Sequence, residues 1–228
     1  MEMKKELEMK KELEAERRIP SREEFKKVMD ERFSPEIHAR LSSGRIGIAG
    51  LGGLGSNIAV MLARSGIGCL HLVDFDYVDL SNLNRQAYRV EHLGRAKTEA
   101  LKGELMQINP YLEIKTDMVK ITAENAVDIF SEDQIVCEAF DVPENKAMLV
   151  NALLGHRPDV AVIAGSGMAG YGSGNSIQTR RICKNLYLCG DGITDAGEGT
   201  GLMSGRVSIC AGHQANMAVR LLLGENEI

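Results

Sequence analysis

Arg85, Lys97 and Asp141 are the residues with the most chemical promise, accompanied by the neutral amides Asn82 and Gln86. They fall in two adjoining runs, Ser81-Asn82-Leu83-Asn84-Arg85-Gln86 and Gly94-Arg95-Ala96-Lys97, and in one acid further on. Two cations, an acid and two amides exceed what a dinucleotide needs, because its two phosphates carry little charge and hydride transfer requires no acid beside them. The set suits ATP next to a carboxylate substrate: Arg and Lys neutralise phosphates, the acid holds Mg2+, and Asn and Gln orient the reacting groups. Upstream, Gly50-Leu51-Gly52-Gly53-Leu54-Gly55 fits GxGxxG, the glycine turn that lets a backbone approach phosphate at a helix N-terminus. Asp74 stands 24 residues after Gly50, where a carboxylate would accept hydrogen bonds from ribose hydroxyls. Glycine turn and acid by themselves fit NAD as well as ATP. Each charged residue also has an ordinary reading, Arg85 and Lys97 as surface ion-pair partners and Asp141 as a helix cap before Pro143.

The elements that must position these residues follow from periodicity. Arg45 to Gly50 (RIGIAG) is a short apolar run ending in glycine, and Ser56 to Ser65 has helical spacing, so strand, turn and helix bracket the glycine motif. Gly68 to Asp74 reads as a second strand, residues 95 to 108 as a helix, Leu112 to Val119 as a strand, and Glu124 to Phe130 as a helix. Gln134 to Phe140 is a fourth strand, which puts Asp141 just past its C-terminal end, where open α/β sheets bind ligands. Glu144 to Leu154 is helical and Asp159 to Ala164 a fifth strand. Alternating strands and helices predict an α/β, Rossmann-like, mainly parallel sheet covered by helices. Beyond Gly165 the chain is Gly-rich, with short strands at Ser176 to Arg180 and Leu186 to Cys189 expected to form a C-terminal antiparallel extension. Val207 to Leu223 closes it as an amphipathic helix stopped at Gly224. The N-terminus repeats MKKELE at Met3 and Met9, a solvated helical pattern, and Ser21 with Glu24 forms a capping-box start for a second helix to about Arg32. The expected division is an N-terminal helical arm over 1–40 and a single domain over 41–228.

Composition bounds the partners. The 228 residues carry 27 Lys plus Arg against 32 Asp plus Glu, a net charge of −5, so no broad basic surface for nucleic acid is indicated. No apolar run approaches the length of a membrane span, and the opening residues hold no apolar signal region. Five cysteines without a CxxC pair fit a reducing cytoplasm.

The run GLGGLGSNIA, the DFDxVxxSNLNRQ segment, GRAK, the spacing to Asp141 and the ending MSGRVSICAGHQANMAV together resemble the adenylyltransferases that activate ubiquitin-like sulfur carriers. This is the superfamily of ThiF, MoeB and the ubiquitin-activating enzymes, and the likeness is to its short ThiF type, covering roughly Arg32 to the C-terminus. The resemblance implies that Gly50, Gly52, Gly53, Gly55 and Asp74 bind adenosine, and that Asp76 helps hold ribose or metal. It further implies that Arg85 and Lys97 bind the triphosphate, Asp141 binds Mg2+, and Asn82 and Gln86 orient. The implied partner is a ubiquitin-like sulfur carrier with a Gly-Gly C-terminus, ThiS of thiamine thiazole synthesis, and the implied assembly is a homodimer. Fuller members hold Zn2+ with two CxxC pairs that are missing here, so no structural zinc is expected. Many carry a cysteine that forms a thioester or acyl persulfide; Cys183, beside Arg180, Arg181 and Lys184, is the better candidate, and Cys189 reads as a buried strand residue. Related enzymes also lend an arginine to the partner subunit's ATP, for which Arg32 or Arg40 could serve.

The expected reaction is attack of the carrier's terminal carboxylate on the α-phosphorus, releasing pyrophosphate. A carboxylate is already ionised at pH 7, so no general base is required. The loops at Gly170 to Gly174 and Asp191 to Gly205 are expected to wall the extended tail, and His213 and Gln214 to pack in the interior. Competing readings are a dehydratase that activates threonylcarbamoyl-adenosine of transfer RNA, a nicotinamide-dependent oxidoreductase, and a non-catalytic half of a heterodimer.

Overall fold

The computed structural model describes residues 19–195, 197, 199 and 201–228. The MKKELE repeats lie outside the described residues. The chain forms two compact units divided between His38 and Ala39. In the first, α1 (Arg22–Phe33) starts at a complete Ser21/Glu24 capping box, as expected from sequence. It ends at Ser34, the one non-glycine residue with positive φ among the described residues. A short helix that sequence reading did not anticipate, α2 (Pro35–Ser42), follows, with Pro35 at a helix start where its missing N–H costs nothing.

The second unit is an α/β sandwich built on a seven-stranded sheet of order β3-β2-β1-β4-β5-β7-β6. Its strands are β1 (Arg45–Ala49), β2 (Cys69–Val73), β3 (Glu113–Asp117), β4 (Ile135–Glu138), β5 (Ala161–Gly165), β6 (Gln178–Cys183) and β7 (Leu186–Gly190). Its helices are α3 (Gly53–Arg64), α4 (Lys97–Ile108), α5 (Ala126–Ile129), α6 (Pro143–His156) and α7 (Ser204–Leu222). Every strand pair is parallel except β6 with β7. The expected antiparallel extension is thus a single strand: β7 pairs parallel with β5, in register from Val162 with Leu186 to Gly165 with Cys189, and only β6 turns back. Leu186 to Gly190 continues the parallel sheet because its residues are largely buried, as in the strands beside it, whereas β6 is a mostly exposed edge.

Strand β1 alternates Ile46, Gly47, Ile48 and Ala49, all buried, at the middle of the sheet. Helix α3 presents Leu54, Ile58, Ala59, Leu62 and Ala63 inward, and α7 presents Val207, Cys210, Ala211, Gln214, Ala215 and Ala218. The small residues on these two faces let the helices pack closely on one side of β1. Phe130, Leu149 and Leu153 fill the opposite side. Within that second layer His71 is fully buried between Asp133, 2.7 Å from Nδ1, and Asp117, 2.8 Å from Nε2. Four cysteines are core residues, Cys189 among them, and burial pushes the Cys189 thiol up to about 11 and that of Cys210 up to about 12. Cys183 is exposed on β6.

Candidate functional site

Because β1, β2, β4, β5 and β7 run parallel, their C-terminal ends share one edge of the sheet, and the residues singled out in the sequence lie there or on the loops that leave it. At Gly50 the chain turns with φ +88, a left-handed conformation in which a side chain would press on the Ala139 carbonyl and the Phe140 ring. At Gly55 any Cβ would collide with the Gly50 carbonyl oxygen, so α3 can close on its own entry turn only with glycine there. Tyr88 Oη donates to the Leu51 carbonyl at 2.9 Å, and the Ala87 amide donates to Ser56 Oγ at 3.0 Å, pinning the turn from outside. The N-cap of α3 is Gly52, which supplies no side-chain acceptor, so the helix starts with first-turn N–H groups free for an anion. Helices α4 and α6 likewise begin at Ala96 and Val142 without a side-chain cap.

Asp74 ends β2 and is almost fully buried. Its Oδ2 accepts from the Leu51 amide at 2.6 Å and its Oδ1 from the Asp76 amide at 2.8 Å, so the acid ties the glycine turn to the loop after β2. A carboxylate has about four acceptor positions, which leaves two for other donors. Asp76 is half-exposed and takes a 3.0 Å hydrogen bond from the buried Lys97 Nζ, while the Lys97 amide donates to the Asp76 carbonyl at 3.0 Å. Lys97 is the first residue of α4, so its placement is set by the helix start.

Arg85 lies over the other end of the glycine turn. Its side-chain carbons come within 3.4 Å of where a Cβ on Gly53 would stand, with Val207 of α7 at 3.0 Å from the same point. One guanidinium nitrogen donates to the Ser81 carbonyl at 3.0 Å and to Asn84 Oδ1 at 2.8 Å; Nε is buried with no partner. Gln86 is also buried, with its amide nitrogen near Gly52 and its Oε1 unpartnered. Asn82 closes a 3-10 turn, Leu80–Asn82, by accepting from the Asp79 amide at 3.0 Å through Oδ1. Asp141 is exposed, follows Phe140 against the glycine turn, and makes no hydrogen bond or ion pair among the described residues. The fold therefore brings together the glycine turn, Asp74, Arg85, Gln86 and the segment leading into Asp141, and pairs Asp76 with Lys97. No ion pair joins Asp141 to Arg85 or Lys97.

These residues fit ATP with a magnesium ion. Buried unpartnered polar atoms are costly unless something satisfies them, and Arg85 Nε and Gln86 Oε1 flank a glycine cradle at an uncapped helix. The Asp141 carboxylate is a free hard oxygen donor of the kind Mg2+ takes singly alongside phosphate oxygens.

Two charged groups of this edge escaped sequence reading. Glu138, at the end of β4, is fully buried; burial pushes its carboxyl up, opposed by Lys146, whose Nζ donates to its two oxygens at 3.1 and 3.0 Å. Arg206, in the first turn of α7, is buried and donates to Asp191 Oδ2 at 2.5 Å and to the Ser173 carbonyl at 2.8 Å. Asp191 Oδ1 in turn accepts from the Ile193 and Thr194 amides, both at 2.9 Å. Burial alone would raise the Asp191 pKa, but these donors and Arg206 hold it below the ordinary aspartate value. The Gly170 amide donates to the Gly201 carbonyl at 2.8 Å, joining the two Gly-rich loops. Both buried groups had a sequence signal. Glu138 is an acid inside an apolar run, and Arg206, Cys210 and Gln214 at four-residue spacing put a cation on the buried stripe of a helix. Of the two residues expected to be interior, Gln214 is fully buried, and the partly buried His213 pairs through Nδ1 with Thr179 Oγ1 at 2.9 Å.

Fold and edge together define a doubly wound α/β domain with a glycine turn at the C-terminal edge of its parallel strands. The ThiF family model matches residues 26–228, and the chain belongs to the ThiF family. The probable adenylyltransferase/sulfurtransferase MoeZ of Mycobacterium tuberculosis is 33% identical over 150 residues, which are 64% of this chain and 36% of MoeZ. The adenylyltransferase and sulfurtransferase UBA4 of Eremothecium gossypii is 35% identical over 130 residues, 57% of this chain and 29% of that protein. The chain thus spans about a third of the length of these relatives. Among solved structures, the tRNA N6-threonylcarbamoyladenosine dehydratase TcdA of E. coli in complex with ATP superposes with TM-score 0.79 at 21% identity, over 87% of this chain and 93% of that one. MccB of E. coli with ATP gives TM-score 0.63 at 21% identity, over 84% and 59%. At these identities the likeness is one of fold. Among the described residues no helix is long and apolar enough to cross a membrane.

Proposed function

We propose that this protein is a nucleotidyltransferase that adenylates the C-terminal glycine carboxylate of a ubiquitin-like sulfur carrier, the ThiS-type carrier of thiamine synthesis. A carboxylate oxygen attacks the α-phosphorus of ATP, the bond to the β-phosphate oxygen breaks, and acyl-adenylate and pyrophosphate result. The observation that carries this reading is the pair of buried unpartnered polar atoms, Arg85 Nε and Gln86 Oε1, beside an uncapped glycine turn. Arg85 Nε, a donor, suits a phosphate oxygen of ATP, and Gln86 Oε1, an acceptor, suits a donor such as a ribose hydroxyl of the same nucleotide.

Gly50, Gly52, Gly53 and Gly55 give the α3 amides access to phosphate, and the two remaining acceptor positions of Asp74 take ribose hydroxyls. Arg85 and Lys97 are catalytic through charge: they stabilise the pentacoordinate phosphorus and the departing pyrophosphate. Lys97 is held by Asp76, which stands beside the ribose, and Asn82 and Gln86 orient the phosphates. Asp141 would hold Mg2+, which would supply Lewis-acid neutralisation of phosphate charge. MoeZ and UBA4, named as adenylyltransferases and sulfurtransferases, support the reaction class, and ATP in TcdA and MccB supports the nucleotide. Carrier docking is supported by the exposed apolar side chains on loops around this edge, Leu80, Tyr171, Ile193 and Met203. The Gly-rich loops fixed by Arg206 wall the path of the Gly-Gly tail.

The working unit is a cytoplasmic homodimer in which residues 1–40 form an arm and 41–228 the adenylating domain. Arg40 is spent on the Leu223 carbonyl at 2.6 Å, so Arg32, exposed in the last turn of α1, is the arginine offered to the partner's ATP. Cys183, exposed on the sheet edge, is the thiol available for an acyl adduct. ATP–pyrophosphate exchange measured with Mg2+, with a Gly-Gly-ended carrier, with transfer RNA and with neither, tests the reading. Carrier-dependent exchange that Asp141→Ala lowers by about two orders of magnitude is expected. Exchange stimulated by transfer RNA alone would transfer the assignment to a TcdA-like activity, and wild-type exchange in Asp141→Ala would remove that residue from the site.

A further inference from the structure

Asp141 is the least constrained side chain of the proposed site, yet a metal ligand has to be held in place before the metal arrives. The turn that carries it, residues 139–142, is fixed from beneath by an ion pair between the buried Glu138 and the partly buried Lys146. Glu138 leaves β4 pointing into the protein with no exposed surface. Its Oε1 accepts the Phe140 amide at 2.7 Å, closing a two-residue loop directly ahead of Asp141. Lys146, one turn into α6, donates to both Glu138 oxygens, and its own backbone amide donates to the Val142 carbonyl at 3.1 Å. Asp141 is thus bracketed on its N-terminal side by the Phe140 bond and on its C-terminal side by the Val142 bond, and the Glu138–Lys146 pair joins the two. A third tie comes from α7, where Gln214 Nε2 donates to the Glu138 carbonyl at 3.3 Å. The Phe140 ring packs at the Gly50 turn.

A buried ion pair contributes little net stability compared with apolar residues of the same shape, because desolvating both charges offsets their attraction. A pair at this position therefore calls for a role beyond holding the core together. We infer that Glu138 and Lys146 are positioning residues for metal binding, fixing the 139–142 turn so that the Asp141 carboxylate faces the nucleotide phosphates. This rests on the reading of Asp141 as the magnesium ligand. Neither residue touches nucleotide or metal in this account; both act through the backbone on either side of Asp141.

The test separates positioning from folding by replacing the pair with apolar residues, Glu138→Leu with Lys146→Met. Calorimetric titration compares the Mn2+ complex of α,β-methylene ATP with the same nucleotide in EDTA, using full-length protein. The ratio of the two affinities is the gain due to metal. In the double variant the thermal midpoint is expected to stay near wild type and metal-free nucleotide binding to be retained, while the metal gain falls about 10- to 100-fold, the usual consequence of losing support behind a metal ligand. Lys146→Arg, which keeps the charge and the donors, is expected to retain most of the gain. A double variant with the wild-type metal gain would overturn the inference. Asp141→Ala in the same titration tells the two failures apart: if it also keeps the gain, Asp141 is no ligand and the underlying reading falls with the inference.

Discussion

Two regions on the same edge of the sheet treat their polar groups in opposite ways. Around the glycine turn, Arg85 Nε and Gln86 Oε1 are buried without partners, Asp141 has none, and three helices start without a side-chain cap. Around the start of α7, Asp191 and Arg206 are spent on each other and on the backbone of two loops: the carboxylate takes amides from Ile193 and Thr194, and the guanidinium reaches Ser173. The first region is the one to which the proposed function assigns a ligand. The second also leaves one buried nitrogen, Arg206 Nε, without a partner, but its two charges are paired and hold Gly-rich loops that would otherwise have little to order them. The regions differ in their charges: Asp141 has no partner among the described residues, whereas Asp191 and Arg206 are paired with each other.

The largest expected effect comes from breaking the spent region. Asp191→Asn leaves the buried Arg206 without its counter-charge, which costs about 3–5 kcal/mol when one partner of a buried pair is removed. Urea unfolding at pH 7 reads this directly. The loss also has a defined pH dependence. The folded-state pKa of Asp191 is depressed, so its stabilisation is fully present above the unfolded-state aspartate value of about 3.9 and is lost as the pH falls through the lower folded value. Wild type and variant should therefore begin to converge in stability as the pH falls below about 4, and meet only below the depressed folded-state value. A gap that persists undiminished to pH 2.5 would show that the Asp191 charge is not what holds the loops.

The open region should respond in the reverse sense, with activity lost and stability kept. Arg85→Ala removes hydrogen bonds only to the Ser81 carbonyl and Asn84, in a partly exposed loop, so its unfolding free energy should change by no more than about 1 kcal/mol. Exchange should fall by about 10²–10³, the usual cost of deleting one preorganised donor to a developing charge. A variant with wild-type exchange, or one that loses several kcal/mol of stability, would place Arg85 with the scaffold.

The contrast also explains what the sequence disclosed. The grouping of the open region was legible because its residues come as particular types at particular spacings: four glycines at a strand-to-helix turn, an acid at the end of β2, and cations and amides in the following loop. The parallel order could be read because βαβ alternation and handedness leave few arrangements. Glu138, Lys146, Asp191 and Arg206 were missed because their importance lies in pairing across sequence distance, and a charge inside an apolar run discloses that it needs a partner without naming it. That β7 continues the parallel sheet before β6 turns back was less legible, because a five-residue apolar strand does not itself show which neighbours it will be buried between. The helix over Pro35–Ser42 was hidden by its shortness and by a proline that reads as a break.

The smallest effect probes whether the two regions are coupled. Asn84 spans them: its Oδ1 accepts from Arg85, and its Nδ2 donates to the Leu202 carbonyl at 3.2 Å, on the loop that leads into α7. Both bonds are exposed, so Asn84→Ala should cost no more than about 1 kcal/mol of stability. If the carrier tail and the phosphates are read by one connected surface, the substitution should raise the apparent KM for carrier by about threefold to tenfold, the cost of losing the neutral bond to the Leu202 carbonyl at about 0.5–1.5 kcal/mol. Combined with Arg85→Ala, the two effects should then be less than additive, because Arg85 is the group through which Asn84 acts on the phosphates. Full additivity would mean that the tail loops and the phosphate site are tuned independently, with Asn84 a local tether and Arg85 alone responsible for the charge.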